Sequence, residues 1–287
     1  MSATTTTTTA TPAMTSGERL RLTVSDWRTL TKRNLLTYIR KPDLLVFSTI
    51  QPVMFVLLFV YVWGGAMQRS LPSSISYVDF LMPGIFVQTA IFAALQTGVG
   101  LADDLQKGLI DRFRSLPMAR SAVLAGRTAS DTFVIVFQVI LMTVVAYLVG
   151  YRLHDGLARA LLGFVGAVSV GYAFTWLAAF AGLSLKTVEA VQAATFTLVF
   201  PFVFASSAFV PDTQFPGWLR AWSHVNPVSI WSETIRVLTL GDRFTHAPVA
   251  LVGHVPSLQV LLLESTAWFF GFLLVFVPLG VRVYRRT

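Results

Sequence analysis

Few residues in this chain have the type and spacing that covalent chemistry needs. The paired acids Asp103 and Asp104 are the nearest approach to an acid/base couple. They stand at the end of an apolar block, where solvated helix-end carboxylates are expected. His154, His224, His246 and His254 show no metal-ligand spacing, and there is no cysteine for a thiolate, a disulfide or a nucleophile. No Gly-x-x-x-x-Gly-Lys-Ser/Thr phosphate cradle occurs, and neither Gly-x-Ser-x-Gly nor His-Glu-x-x-His is present. The chain is therefore expected to have no catalytic site and to bind no cofactor or metal of its own. The remaining polar residues of interest lie inside apolar blocks, where they mark transport paths or interhelical hydrogen bonds. They are Gln51, Gln88, Gln96, Gln138, Gln192 and Glu264. Glu264 lies about two turns from the end of its block, within reach of Arg236 or Arg243. Asp131 is placed to pair with Arg127 four residues earlier.

Those blocks define the elements. Of 287 residues, 54% are hydrophobic and only 13% charged, against about 25% charged in soluble domains. Apolar runs of about twenty residues match the thickness of a bilayer. Six spans are expected: Phe47 to Met67, Phe80 to Leu101, Ser130 to Gly150, Ala160 to Leu185, Ala190 to Val210, and Leu258 to Val281. Pro52 and Pro201 are expected to kink theirs. Gly163, Ala167 and Gly171 repeat every fourth residue, a spacing that lets helices approach closely. The fold class is an all-α integral membrane protein. The net charge of +8 comes from 22 basic and 14 acidic residues. The basic residues cluster between spans, which favours anionic lipid over nucleic acid as their partner. Sixteen fall on the side of the termini and six on the other, so both termini are expected to be cytoplasmic in a plasma-membrane protein.

Four segments outside the spans carry pattern. Residues 1–23 form a Thr-rich tail that cannot bury a core, is expected to be disordered, and lacks the layout of a signal peptide. Residues 24–41 form an amphipathic helix whose apolar face includes Trp27 and whose basic residues include Arg28, Lys32 and Arg33. This pattern suits a helix lying on the cytoplasmic membrane surface, with a plain membrane anchor as the alternative. The six-span transmembrane domain covers 42–287. Within its loop 103–127, Leu105, Leu109, Phe113 and Leu116 form an apolar stripe among Asp111, Arg112 and Arg114, and Pro117 ends the helix. That stripe needs a surface to bury against. In the outer segment 211–257, Asn226 and Pro227 read as helix cap and first turn, with Gly241 as the stop. Val228, Trp231, Ile235 and Leu238 form one face; Ser229, Ser232, Glu233 and Arg236 form the other. Fourteen residues reach only about 21 Å, short of about 30 Å of hydrocarbon, so an interfacial or re-entrant helix is expected. Trp218, Trp222 and Trp231 are expected at headgroup depth.

Several stretches together resemble the type-2 ATP-binding-cassette exporter permeases, in particular the daunorubicin-resistance permease branch. The run from Lys107 through Asp111-Arg112-Phe113-Arg114-Ser115-Leu116-Pro117 to Arg127 is similar to that family's Gly-x-x-Glu-Arg-x-x-Ser-Leu-Pro segment, with Asp111 where Glu is usual. Leu81-Met82-Pro83-Gly84, and Phe215-Pro216-Gly217-Trp218-Leu219 followed by Asn226-Pro227, are similar in order and spacing. The resemblance implies a permease subunit that pairs with a second permease chain, identical or paralogous. It implies separate ATPase subunits that bind ATP and Mg²⁺. It implies a coupling helix at Leu109, Asp111, Arg112, Phe113, Arg114, Leu116 and Pro117, and outward transport of amphipathic drug-like or lipid-like cargo. A proton-driven secondary transporter and a non-transporting assembly factor or receptor are the other classes that the composition allows.

Overall fold

The computed structural model describes residues 42–108, 120–253 and 255–286. The Thr-rich tail, the 24–41 helix with Trp27, Arg28, Lys32 and Arg33, and the coupling residues Leu109 to Pro117 lie outside the described residues.

The described chain is helical. Helix α1 (Pro42–Leu57) runs into a π-helical stretch (Leu58–Trp63) and then α2 (Gly64–Gln68). The helices that follow are α3 (Tyr77–Gln106), α4 (Arg120–Val149), α5 (Leu157–Leu185) and α6 (Val188–Phe204). A 3₁₀ turn (Asp212–Gln214), α7 (Gly217–Val225), α8 (Pro227–Leu240), α9 (Asp242–Thr245) and α10 (Val249–Val252) precede α11 (Leu258–Arg286). Among the described residues, five helical stretches are long and apolar enough to cross a bilayer: Thr49–Gln68, α3, Gly126–Val149, α5 and Leu258–Tyr284. The fifth expected span is shorter than foreseen. Helix α6 has 17 residues, about 26 Å, and stops at Phe204 rather than Val210.

The early stop has a local cause. Phe209 and Val210 keep the sequence apolar, but Ser206 Oγ donates to the Val203 carbonyl at 2.6 Å and accepts from Ala208 N–H at 3.2 Å. These side-chain bonds compete with helix continuation. The Asn226 amide then donates to the carbonyls of Phe202 (2.8 Å) and Ala205 (3.1 Å), which the helix end leaves open. Pro52 sits inside α1. The irregularity of the first span is the π-helical stretch that begins six residues later.

Helix α3 is the centre of the bundle. In its most apolar window 89% of residues are buried, against 11% for α11 and for the first span. Ser76 caps its start by accepting from Asp79 N–H at 3.1 Å. Glycines bring its neighbours to backbone contact. A Cβ on Gly98 would overlap the Ala178 carbonyl of α5, and one on Gly182 would overlap Gly98. Gly84 meets the backbone of Ala208 in the same way. The four-residue repeat on α5 serves three partners: Gly163 faces Ile235 and Thr239 of α8, and Gly171 faces Ile135 of α4 and the Ala90 carbonyl of α3. These contacts make α3, α5 and α8 one packed body, while α1 and α11 leave most of their apolar surface outward.

Candidate transport path

The Asp104 end of α3 is tied to α4 by charge. Arg127 Nη1 donates to Asp104 Oδ2 at 3.0 Å across the helices, and Arg127 Nε donates to Asp131 Oδ2 at 3.1 Å along its own helix. Gly100 makes room, because a side chain there would overlap the Arg127 guanidinium. The expected Arg127–Asp131 pair is present. The adjacent acids, in contrast, divide their work: Asp103 takes Lys107 of the same helix at 2.6 Å, while Asp104 bridges to α4. Residues 104 and 127 flank the loop whose centre carries the expected coupling stripe.

The Phe80 end of α3 is tied to α8 by a different chemistry. Arg236, 1% exposed, sends Nε to the Phe80 carbonyl at 2.8 Å and Nη2 to the carbonyls of Ser207 (2.7 Å) and Ala208 (2.6 Å). Its guanidinium carbon lies 3.8 Å from the centre of the Phe80 ring, a cation–π contact. Burial lowers its pKa to about 10, opposed by the nearby Glu233 carboxylate, so the guanidinium stays charged at neutral pH. Glu233 Oε1 accepts from Ser207 Oγ at 2.8 Å, and burial pushes this carboxyl above the usual range against the pull of Arg236. Ser229 Oγ accepts from Ser207 N–H at 3.0 Å, and the Tyr77 hydroxyl donates to the Phe209 carbonyl at 3.1 Å.

Helix α8 is thus buried on both faces. The cap is as expected, with Val228 N–H donating to Asn226 Oδ1 at 2.9 Å and Pro227 in the first turn. Trp231 departs from expectation: it is 2% exposed, packed edge-on to Phe174 and tilted against Phe272, in the core rather than at headgroup depth. Trp218, by contrast, is 75% exposed. The polar stripe of α8 faces protein carbonyls and hydroxyls instead of water. Arg236 does not pair with Glu264, which is half-buried on α11. A polar stripe on an apolar helix too short to cross the bilayer was the available signal for this cage. Its carbonyl acceptors had no signal in the residue types.

A cavity of about 480 Å³ opens between α1, α3 and α6. Gln51, Gln96 and Gln192 supply its polar lining together with Thr195 and Thr197, beside Phe92 and Phe196. All three glutamines are exposed on this face. Gln88 lies deeper on α3, fully buried, and neither of its amide atoms has a partner among the described residues. Gln138 is buried on α4. The predicted intramembrane set therefore divides: Gln51 lines the groove, while Gln88, Gln138 and Glu264 do not. Gln96 and Gln192 join Gln51 only because the fold brings three helices together.

Comparison with known proteins agrees with this architecture. The chain is 30% identical over 279 residues to the daunorubicin resistance ABC transporter permease protein DrrB1 of Streptomyces coeruleorubidus, covering 95% of this chain and 91% of that one. It is 24% identical to the probable doxorubicin resistance ABC transporter permease protein DrrC of Mycobacterium tuberculosis, over 77% of this chain and 79% of that one. A putative transport permease, ycf38, of Pyropia yezoensis is 26% identical over 75% of this chain and 74% of its own length. The family model for ABC-2 type transporters matches residues 25–240. With its apolar helices, buried short helix α8 and open polar groove, the chain belongs to the ABC-2 type transporter family and is a membrane-embedded transport permease.

Proposed function

We propose that this permease moves amphipathic drug-like or lipid-like molecules outward across the plasma membrane, along a path lined in part by the Gln51–Gln96–Gln192 groove. The observation that carries this reading is the groove itself. Amides facing lipid tails would be left without partners, at a cost of several kcal/mol each on transfer to hydrocarbon. Such a face needs a second permease chain, water or cargo against it. In this reading two permease chains, identical or paralogous, meet across that face. Both termini are cytoplasmic. Separate ATPase subunits bind ATP and Mg²⁺ and seat the segment containing Leu109, Asp111, Arg112, Phe113, Arg114, Leu116 and Pro117, while the 24–41 helix rests on the membrane beside them. ATPase closure displaces that segment, and α3 carries the displacement from the Arg127 end to the Arg236 end as part of a packed body.

The chain lacks cysteine, so single introduced thiols report on one position each. Gln51→Cys and Gln192→Cys should react with a water-soluble maleimide, and added cargo should protect them. Leu263→Cys, on the exposed face of α11, should not react. Equal inertness at all three positions overturns the path assignment. For coupling, the double variant Phe113→Asp, Leu116→Asp should insert normally yet lose both ATPase association and export. Survival of both overturns the assignment of that segment.

A further inference from the structure

Two crevices flank the outer half of α5, with buried α8 as their common floor. The larger, about 310 Å³, lies between α5, α8 and α11. Three of its four hydroxyls are already bonded: Ser169 donates to the Gly166 carbonyl at 2.7 Å, and Thr234 to that of Ile230 at 2.8 Å, with Ser265 2.8 Å from Thr234. Nothing there asks for a ligand. The smaller, about 200 Å³, lies between α3, α4, α5 and α8. Phe86, Val139 and Ile235 form its buried floor, and Tyr147, Leu157 and Leu161 its exposed mouth.

This second crevice carries an unmet polar group. Tyr151 lines it and is 1% exposed, and its hydroxyl makes no hydrogen bond among the described residues. Thr239 is its nearest polar neighbour, but no bond of ordinary hydrogen-bond geometry joins the two hydroxyls, and Thr239 donates to the Ile235 carbonyl at 2.8 Å. Buried hydroxyls are seldom left so. At the mouth, exposed Arg152 lies 5.9 Å from the centre of the Tyr147 ring and uses Nη1 for the carbonyls of Tyr147 (2.9 Å) and Tyr151 (2.8 Å). A guanidinium has five N–H donors, so this one nitrogen leaves others to face outward. Of the neighbouring charges, Arg159 is paired with Asp155, and Asp79 accepts the Arg152 backbone N–H at 3.0 Å.

We propose that this crevice holds one acyl chain of a bilayer phospholipid, with its phosphate on Arg152 and an ester carbonyl accepting from the Tyr151 hydroxyl. The shape fits a chain. From Leu157 to Phe164 the wall extends about 10 Å along the axis of α5, apolar throughout and polar only at its end. The volume falls below the range of about 300–1,000 Å³ that drug-sized ligands occupy, which favours a chain end over a folded drug. The site requires only that the protein sits in a bilayer, and does not rest on the transport reading.

The test is lipid retention by the purified full-length chain, read by native mass spectrometry after exposure to phosphatidylglycerol or, as a phosphate-free control, diacylglycerol. The wild type should retain phosphatidylglycerol in preference to diacylglycerol. Arg152→Gln should abolish that preference. Tyr151→Phe removes one oxygen and should lower retention about five-fold, the worth of one hydrogen bond. Ala160→Phe fills the crevice and should remove the lipid, whereas Leu162→Phe, in the other crevice, should not. Wild-type retention in Tyr151→Phe, equal retention of the two lipids by the wild type, or equal loss in Leu162→Phe overturns the proposal. Should Ala160→Phe fail to fold, Tyr151→Phe alone decides.

Discussion

Arg127 and Arg236 hold the same helix from opposite ends, but with different acceptors. Arg127 meets two carboxylates at the membrane boundary, and its side chain and that of Asp104 are both partly exposed. Arg236 meets three backbone carbonyls and an aromatic face in full burial. A partly exposed ion pair yields more readily to salt or to a competing charge than a fully buried one, although Asp131, 5% exposed, holds its share of this network more firmly. A buried guanidinium cannot leave its carbonyls without stranding both them and its own charge. The Arg127 tie is therefore the better suited to being broken and remade, and the Arg236 tie to permanence. On this view α3 works as a strut fixed at its Phe80 end and released at its Asp104 end.

The comparison can be broken most forcefully at Arg236. Arg236→Ala should cost roughly 3–5 kcal/mol, because carbonyls of Phe80, Ser207 and Ala208 lose their donor in a dry site. Folded protein should become scarce in detergent, as size-exclusion recovery and thermal unfolding would show. Survival near the wild-type midpoint would show that the cage is dispensable. Next comes Gly100→Leu, whose side chain must displace the Arg127 guanidinium. It should cost about 1–3 kcal/mol as overpacking and uncouple ATP hydrolysis from transport. A similar or smaller change in stability, about 1–2 kcal/mol, is expected for Arg127→Gln, because the buried Asp131 carboxylate loses this charged donor. High salt should reproduce its effect on wild-type coupling while leaving the Arg236 end untouched. If salt and Arg127→Gln affect coupling independently, the reversible tie is elsewhere.

The smallest effect concerns Glu233, whose folded-state pKa is raised by burial. A carboxyl raised in this way is most favourable when protonated, so its contribution is fully present below the unfolded carboxyl pKa and is lost as pH rises through the folded one. Glu233→Gln should therefore match the wild type at low pH and exceed it at neutral pH, by thermal unfolding across a pH series. A difference that grows on acidification would contradict the burial assignment.

Much of this architecture was legible in the residues. Apolar runs, the Asn226–Pro227 cap and the four-residue repeat on α5 rest on local chemistry, so they appear where expected. The end of α6 did not follow from apolarity, because Ser206 and Asn226 stop the helix through hydrogen bonds to carbonyls, which every residue possesses. Trp231 was misplaced for a related reason. Aromatic side chains suit both the interface and the core, and only the packing of α8 against α5 and α11 decided between them.

Sequence alone determined that this chain lives in a bilayer and roughly where it crosses, since hydrophobic length is a property of each segment by itself. It also determined that α8 could not span, because fourteen residues are too few. Only the tertiary structure decided that the polar face of α8 turns inward, that Asp104 rather than Asp103 reaches α4, and that Gln51, Gln96 and Gln192 share one cavity. Each of these depends on backbone carbonyls or on side chains from distant helices. Such partners are chosen by how closely the glycines let helices approach, and no single segment encodes that distance.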